Sequence, residues 1–131
     1  MTIDELRQIL NPLDASPTEC DGMTRLCHTQ LFQHNIPHQV YRGSCRVDSQ
    51  LIPFHFWIDL TEHLRGWRVD YRLRMWLKDK KLDVPHGVFN LAAFSQVHYQ
   101  GEAIEMSPLS EPLFQILSLD STSLIACQSK P

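Results

Sequence analysis

Apolar positions recur at helical spacing in the first third of the chain and then switch to alternation. Ile3, Leu6 and Leu10 form a stripe, and Thr2 and Glu5 have the spacing of a capping box, which predicts a helix over Thr2–Leu10. Asn11-Pro12 stops it, and residues 11–19, with two prolines, read as a loop. Met23, Cys27 and Leu31, helped by Leu26, predict a second helix from about Pro17–Cys20 to His34, with Thr18 or Asp21 as the cap. Asn35-Ile36-Pro37 then turns the chain into an extended segment, His38–Val47. A tight Asp48-Ser49 turn leads to a strand over Leu51–Leu60. In that strand Phe54, Phe56, Ile58 and Leu60 point one way, and His55, Trp57 and Asp59 the other.

A hairpin around Glu62–Gly66 returns as Trp67–Asp70, with a continuation through Tyr71–Leu73. Beyond it lie a charged loop (Lys78–Asp83), a Pro85-His86-Gly87 turn and one more strand over Phe94–Gln100. A short helix over Pro108–Leu117 follows, with Leu109, Leu113, Phe114 and Leu117 inward. From Ser118 a frayed tail is expected, with some packing by Leu124-Ile125-Ala126. Helices first and antiparallel strands after them predict an α+β fold, with 1–131 as a single domain.

Composition narrows the partners. A 43% hydrophobic content with three Trp, three Tyr and six Phe supplies enough apolar area to exclude disorder over the whole length. A net charge of -3 argues against reading of nucleic-acid phosphates. No run approaches the roughly 18 apolar residues of a membrane helix, so no membrane span is expected. The start MTIDELRQIL lacks the basic, apolar character of a signal peptide, so a cytoplasmic protein is expected, with signal-less export as an effector or toxin left open. The irregularly spaced Cys20, Cys27, Cys45 and Cys127 then read as reduced thiols.

Three residues carry candidate chemistry. Cys20 sits where a helix begins, and a thiol there feels the positive end of the helix dipole, which favours the nucleophilic thiolate. His55, in mid-strand, supplies an imidazole to complete a thiolate–imidazolium pair. Asp70, on the strand paired with that one, can hold the other ring nitrogen. The Cys20 N–H, free at a helix start, is a candidate oxyanion donor. Read without function, the same trio is a small buried thiol, a strand histidine and a turn carboxylate.

The run CDGMTRLCHTQLFQHNIPHQVYRG resembles the start of the transglutaminase-like, papain-fold cysteine proteins, in which the catalytic Cys opens a helix followed by a Gly-Ile-Pro-like turn and a strand. HFWIDL resembles that superfamily's His-x-Trp-x-Glu strand, and GWRVDYR the next strand, ending in the catalytic Asp. The resemblance covers roughly residues 17–75. It implies a compact papain-like domain with Cys20 as nucleophile, His55 as base and acid, and Asp70 as orienter. The implied chemistry is attack on an amide or acyl carbonyl through a thioester, as in a protein glutamine deamidase, a protease or an acyl or amine transferase. A protein or peptide substrate is implied, and no cofactor. Trp57, on the His55 face, either packs beside the imidazole or walls a substrate cleft. The chain departs from the pattern in having Asn35 where Gly is usual, a short Cys-to-His interval, and no Gln or Trp just before Cys20 for a second oxyanion donor. A non-catalytic protein-binding module on the same fold, or an unrelated small α+β interaction protein, are the alternatives.

Other candidates weigh less. Cys20, Cys27 and His28 lack the spacing of a zinc site, and His34 and His38 flanking a turn read as exposed rather than ligating, so no metal is expected. Cys27 shares a helix face with Met23 and Leu31 and reads as core. DYRLRMWLKDKK is basic and aromatic but diluted by Asp70, Asp79 and Asp83. It is expected to lie on the surface, anchored by Met75 and Trp76, rather than to bind nucleic acid.

Overall fold

A computed structural model describes residues 1–77 and 83–119. Its elements are α1 (Ile3–Leu10), α2 (Cys20–Gln33), β1 (His38–Val47), β2 (Gln50–Leu60), β3 (Trp67–Asp70), β4 (Gly87–Asn90), β5 (Val97–Ile104) and α3 (Glu111–Ser118), with short 3-10 turns between several of them. The five strands form one antiparallel sheet in the order β4-β3-β2-β1-β5, and the fold is α+β. The charged loop from Lys78 to Leu82 and the tail from Asp120 onward, Leu124-Ile125-Ala126 included, lie outside the described residues.

The two N-terminal helices follow from local sequence. Thr2 caps α1 through a full capping box with Glu5, and Leu6 and Leu10 are buried. In α2 the buried stripe is Met23, Leu26, Cys27 and Leu31. Its end is a Schellman motif: Asn35 adopts φ 54°, the Ile36 N–H donates to the Leu31 carbonyl at 2.9 Å, and the Asn35 N–H to that of Phe32 at 3.1 Å. Asparagine tolerates that left-handed position, so the departure from Gly is accommodated. At the other end, neither Thr18 nor Asp21 caps the helix. Glu19 stands at the N-cap without a side-chain bond, and the Asp21 carboxylate accepts instead from the Gly22 N–H at 2.8 Å.

Two apolar layers sandwich the sheet. On one face Val40, Ile58, Leu60, Val69 and Val88 meet Leu6, Leu10, Leu13, Met23, Leu26, Cys27 and Leu31 of the helical layer. Each such side chain withdrawn from water contributes about 1.5–3 kcal/mol. On the other face Cys45, Val47, Ile52 and Val97 meet Leu73, Leu77 and Val84. A bulge in β2 explains how Ile52 and His55 come to share that second face. Gly43 pairs with His55 but Cys45 with Ile52, so Pro53 and Phe54 together oppose Ser44. Pro53 sits in the bulge, where a missing N–H is tolerated.

Several expectations are corrected. Phe54 lies on the helical face but beyond the reach of the helices, 57% exposed. Tyr71–Leu73 do not extend β3, which ends at Asp70 because Arg72 turns inward to hydrogen-bond the segment before α2. Gly87–Asn90, expected as part of a turn and its sequel, is β4, paired on β3. The last strand is Val97–Ile104 rather than Phe94–Gln100, set by its ladder with β1. The C-terminal helix begins at Glu111, and Leu113 on it faces solvent while Leu109, Phe114 and Leu117 pack on the core. Leu73 and Leu77, not Met75 and Trp76, anchor the basic aromatic segment.

Candidate active site

Cys20 is the first residue of α2, and the helix lays its axis against β2, the strand that carries His55. β3 pairs with β2 only through Ile58↔Val69 and Asp59↔Arg68. One step further along that register Asp70 stands at the level of Trp57, on the face shared with His55. From there the Asp70 Oδ2 reaches His55 Nε2 at 2.7 Å. The three groups are withdrawn from water: His55 is 0%, Asp70 4% and Cys20 6% exposed.

The electrostatics of this cluster centre on the imidazole. Burial opposes a charged His55, but the Asp70 carboxylate, by charge and by hydrogen bond, and the Cys20 side chain together outweigh it and push His55 up from 6.5 to about 9. The second ring nitrogen, Nδ1, is buried and has no hydrogen-bond partner among the described residues. With Nε2 committed to Asp70, Nδ1 is the nitrogen left for a second partner. The surroundings therefore favour the charged form of the ring, which is held at one nitrogen by a carboxylate.

Asp70 is itself held at both oxygens. Oδ2 also accepts from the Tyr99 hydroxyl at 2.8 Å, and Oδ1 accepts from the Arg72 N–H at 3.0 Å. Burial, and then the charge of Asp70, push Tyr99 upward, so its phenol remains a proton donor. Arg68 caps this arrangement, its guanidinium 4.4 Å from the Tyr99 ring centroid, while the same side chain grips Asp59 with a second contact at 3.0 Å. Asp59 is thus occupied by Arg68 and does not approach His55 as a rival carboxylate.

Trp57 stands beside the imidazole as packing. It is 2% exposed, stacked on Tyr41 at 5.9 Å and edge-on to Tyr99 at 5.0 Å, so it presents little surface to a ligand. Close backbone approach completes the surroundings: a Cβ on Gly43, the residue opposite His55, would lie 2.0 Å from the Gln100 carbonyl oxygen, and one on Gly101 2.8 Å from the Trp57 ring.

Two further thiols, Cys27 and Cys45, lie in the core. Burial pushes Cys45 up to about 12, assisted by the charge of Asp70, and pushes Cys27 upward as well. Both are buried, free and protonated, which makes them poor nucleophiles. Among the described residues no group of His, Cys, Asp and Glu could hold a metal ion. His38 is not an exposed partner of His34. It accepts from or donates to His28 at 2.7 Å and binds the Ile36 carbonyl, while His34 binds the Gln30 carbonyl. His86 meets Asp14 at 2.7 Å. No helix among the described residues is long and apolar enough to cross a membrane.

Tyr99 and Arg72 are the site residues that sequence reasoning missed. Tyr99 arrives through the β1–β5 ladder, opposite Cys45, and nothing local marks it. The one available signal for Arg72 was the arginine two positions after Asp70 in a segment otherwise read as surface. Comparison of the chain with family models, with curated proteins and with solved structures gave no match.

Proposed function

We propose that this chain is a cysteine-dependent hydrolase or acyltransferase on a papain-like, transglutaminase-like fold, acting on the amide or acyl carbonyl of a protein or peptide. The observation that carries the reading is a buried imidazole whose Nε2 is held 2.7 Å from a buried carboxylate, in a fold that places a buried thiol at the first position of α2. The fold supports it in order and kind: a nucleophile helix, then an antiparallel sheet bearing the imidazole and the carboxylate on adjacent strands.

In this reading the Cys20 sulfur attacks the carbonyl carbon as the C=O pair moves onto oxygen. The N–H of Cys20, one of the donors a helix start leaves without an internal partner, faces the developing oxyanion. Collapse breaks the C–N bond, and the departing amine takes the proton from His55, leaving a thioester and a neutral ring held by Asp70. Water then gives its proton to His55 and attacks the thioester. A carboxylic acid is released and the thiol returns. With glutamine as donor the products are glutamate and ammonia; an amine in place of water makes the reaction a transfer.

Burst kinetics with p-nitrophenyl acetate test this reading. The expected result is one equivalent of nitrophenol per chain, with the acetyl group on Cys20 by peptide mass spectrometry and no burst from Cys20→Ala. A wild-type protein that is never acylated at Cys20 overturns it. The near-complete burial of all three groups favours a second reading, a protein-binding module in which the trio serves only as packing. Absence of both acylation and fast alkylation at Cys20 selects that one.

A further inference from the structure

Arg72 ties the two halves of the candidate site together. Its side chain is largely buried, and its guanidinium donates from Nε to the Thr18 carbonyl at 2.7 Å, from Nη2 to the carbonyls of Ser16 at 2.9 Å and Asp14 at 3.2 Å, and from Nη1 to the Asp14 carboxylate and the Tyr71 carbonyl. Its backbone N–H donates to Oδ1 of Asp70. One residue therefore fixes the carboxylate that holds His55 and, through three carbonyls, the segment that delivers Cys20.

The Ser16 hydroxyl also ties this segment by donating to the Leu117 carbonyl at 2.6 Å, but the helix start itself lacks a side-chain cap. Glu19 caps α2 with no side-chain bond, and the Thr18 hydroxyl is turned to Ser16 rather than to the helix. A helix start without its own cap is free to fray, and the sulfur would move with it. The planar fork of an arginine, with five fixed donors, can hold four carbonyls and a carboxylate at once. A lysine ammonium, with three donors on a flexible stem, cannot. Asp14 is held in turn by His86 Nε2 at 2.7 Å, so the brace is anchored on both sides.

We infer that Arg72 is a positioning residue, which sets the Cys20 thiol against His55 by clamping residues 14–18 to the end of β3. The inference rests on the thiol–imidazole reading of Cys20. A misplacement of about 1 Å at a reacting pair can lower rates by about a hundredfold, so a clamp of this kind acts on chemistry rather than on stability alone.

The test compares the full-length wild type with Arg72→Lys, Arg72→Ala and Asp14→Asn, and with Arg25→Ala as a control. Arg25 is on α2, like Cys20, but donates to the Ser107 carbonyl and not to residues 14–18. For each protein the rate of iodoacetamide alkylation at Cys20 is read at pH 6 and pH 9, together with the His55 titration by NMR and a thermal melt. The ratio of the two rates cancels simple accessibility. The expected result is a wild-type ratio near one, a fall of roughly tenfold or more in Arg72→Lys and a smaller fall in Asp14→Asn, on the scale set by such misplacement. The His55 titration should move down from about 9 as the Cys20 contribution is lost. Arg25→Ala should melt lower with the wild-type ratio. Should Arg72→Ala not fold, Arg72→Lys and Asp14→Asn still decide. Unchanged ratio and titration in both, beside a lowered melt, make Arg72 a purely structural brace and overturn the inference alone. A wild-type ratio as low as that of an ordinary thiol overturns the triad reading, and the inference with it.

Discussion

His55 Nε2 stands 2.7 Å from Asp70 Oδ2, with neither side chain in contact with water. A buried carboxylate and a buried imidazole at this separation stabilise each other chiefly when the ring is charged. The positions are 15 residues apart in sequence, and one hairpin brings them to adjacent strands of the same face.

The first prediction concerns the thiols. Cys20→Ala should abolish acylation and leave the melting temperature close to that of the wild type. Cys27→Ala should leave acylation intact and lower stability by about 1–2 kcal/mol, because it removes a fully buried group from the helix–sheet core. Urea unfolding beside the nitrophenol burst separates the two effects. Full activity in Cys20→Ala contradicts the assignment of the nucleophile.

The second prediction ranks the carboxylates. Asp70→Asn should reduce turnover by about 10⁴-fold, the scale known for the same change in a serine triad, since an amide can present an N–H to Nε2 in place of the acceptor. Tyr99→Phe, which removes only a donor to the same oxygen, should reduce it by about tenfold, on the order of one hydrogen bond to a charged group. Asp59→Asn should be mild, because Asp59 is spent on Arg68. A larger loss from Asp59→Asn than from Asp70→Asn would contradict the site.

Stability should peak near pH 6.5, for two reasons of opposite sign. Folded His55 is pushed up to about 9 against an ordinary 6.5, so the folded chain binds the extra proton. That contribution is fully present below about 6.5 and is lost as pH rises through about 9. His28 and His38 are both held below 6.5, chiefly by burial and in His28 also by the charge of His38, so there the unfolded chain binds more protons. Their contribution is present above 6.5 and declines as pH falls below it. Thermal melts from pH 5 to 10 should show both limbs. The decline between about 6.5 and 9 should flatten in His55→Gln, leaving the loss above about 9 that the buried Cys27 and Cys45 thiols contribute, and the acid limb should shrink in His38→Gln.

Gly43→Ala should destabilise the sheet by at least about 1–3 kcal/mol, the usual range for overpacking, because the added carbon meets the Gln100 carbonyl rather than a flexible side chain. The same change should slow acylation, as β1 must move where it pairs with His55. Wild-type stability in Gly43→Ala would mean that β1 and β5 do not approach so closely.

Where structure follows from neighbours in sequence, it was legible. The Thr2–Glu5 capping box, the Met23–Cys27–Leu31 stripe and the alternation of Ile58 and Leu60 against His55 and Trp57 each specify an element locally. The Glu62–Gly66 turn then brings Asp70 back beside the imidazole. Elements specified by distant partners were not legible. Gly87–Asn90 is four residues without alternation and becomes a strand only because β3 offers it a ladder. The second half of β5 is an exposed edge with little apolar pattern, so its extent is set by β1. The bulge at Pro53-Phe54 left Phe54 exposed where strict alternation predicts a partner for it. Tyr99 and Arg72 were missed for the same reason, as both reach Asp70 or the α2 segment through tertiary placement.

The central claim, that Cys20 and His55 act as one thiolate–imidazolium unit, is tested most directly by alkylation at pH 6 of wild type and His55→Ala, with the labelled peptide identified. Burial keeps Cys27 and Cys45 protonated, so they should remain unlabelled. The account predicts rapid, selective modification of Cys20 in the wild type and a rate at least about tenfold lower in His55→Ala, where the cation that favours the thiolate is gone. Equal rates in the two proteins, or labelling of Cys27 and Cys45 as fast as of Cys20, would contradict it.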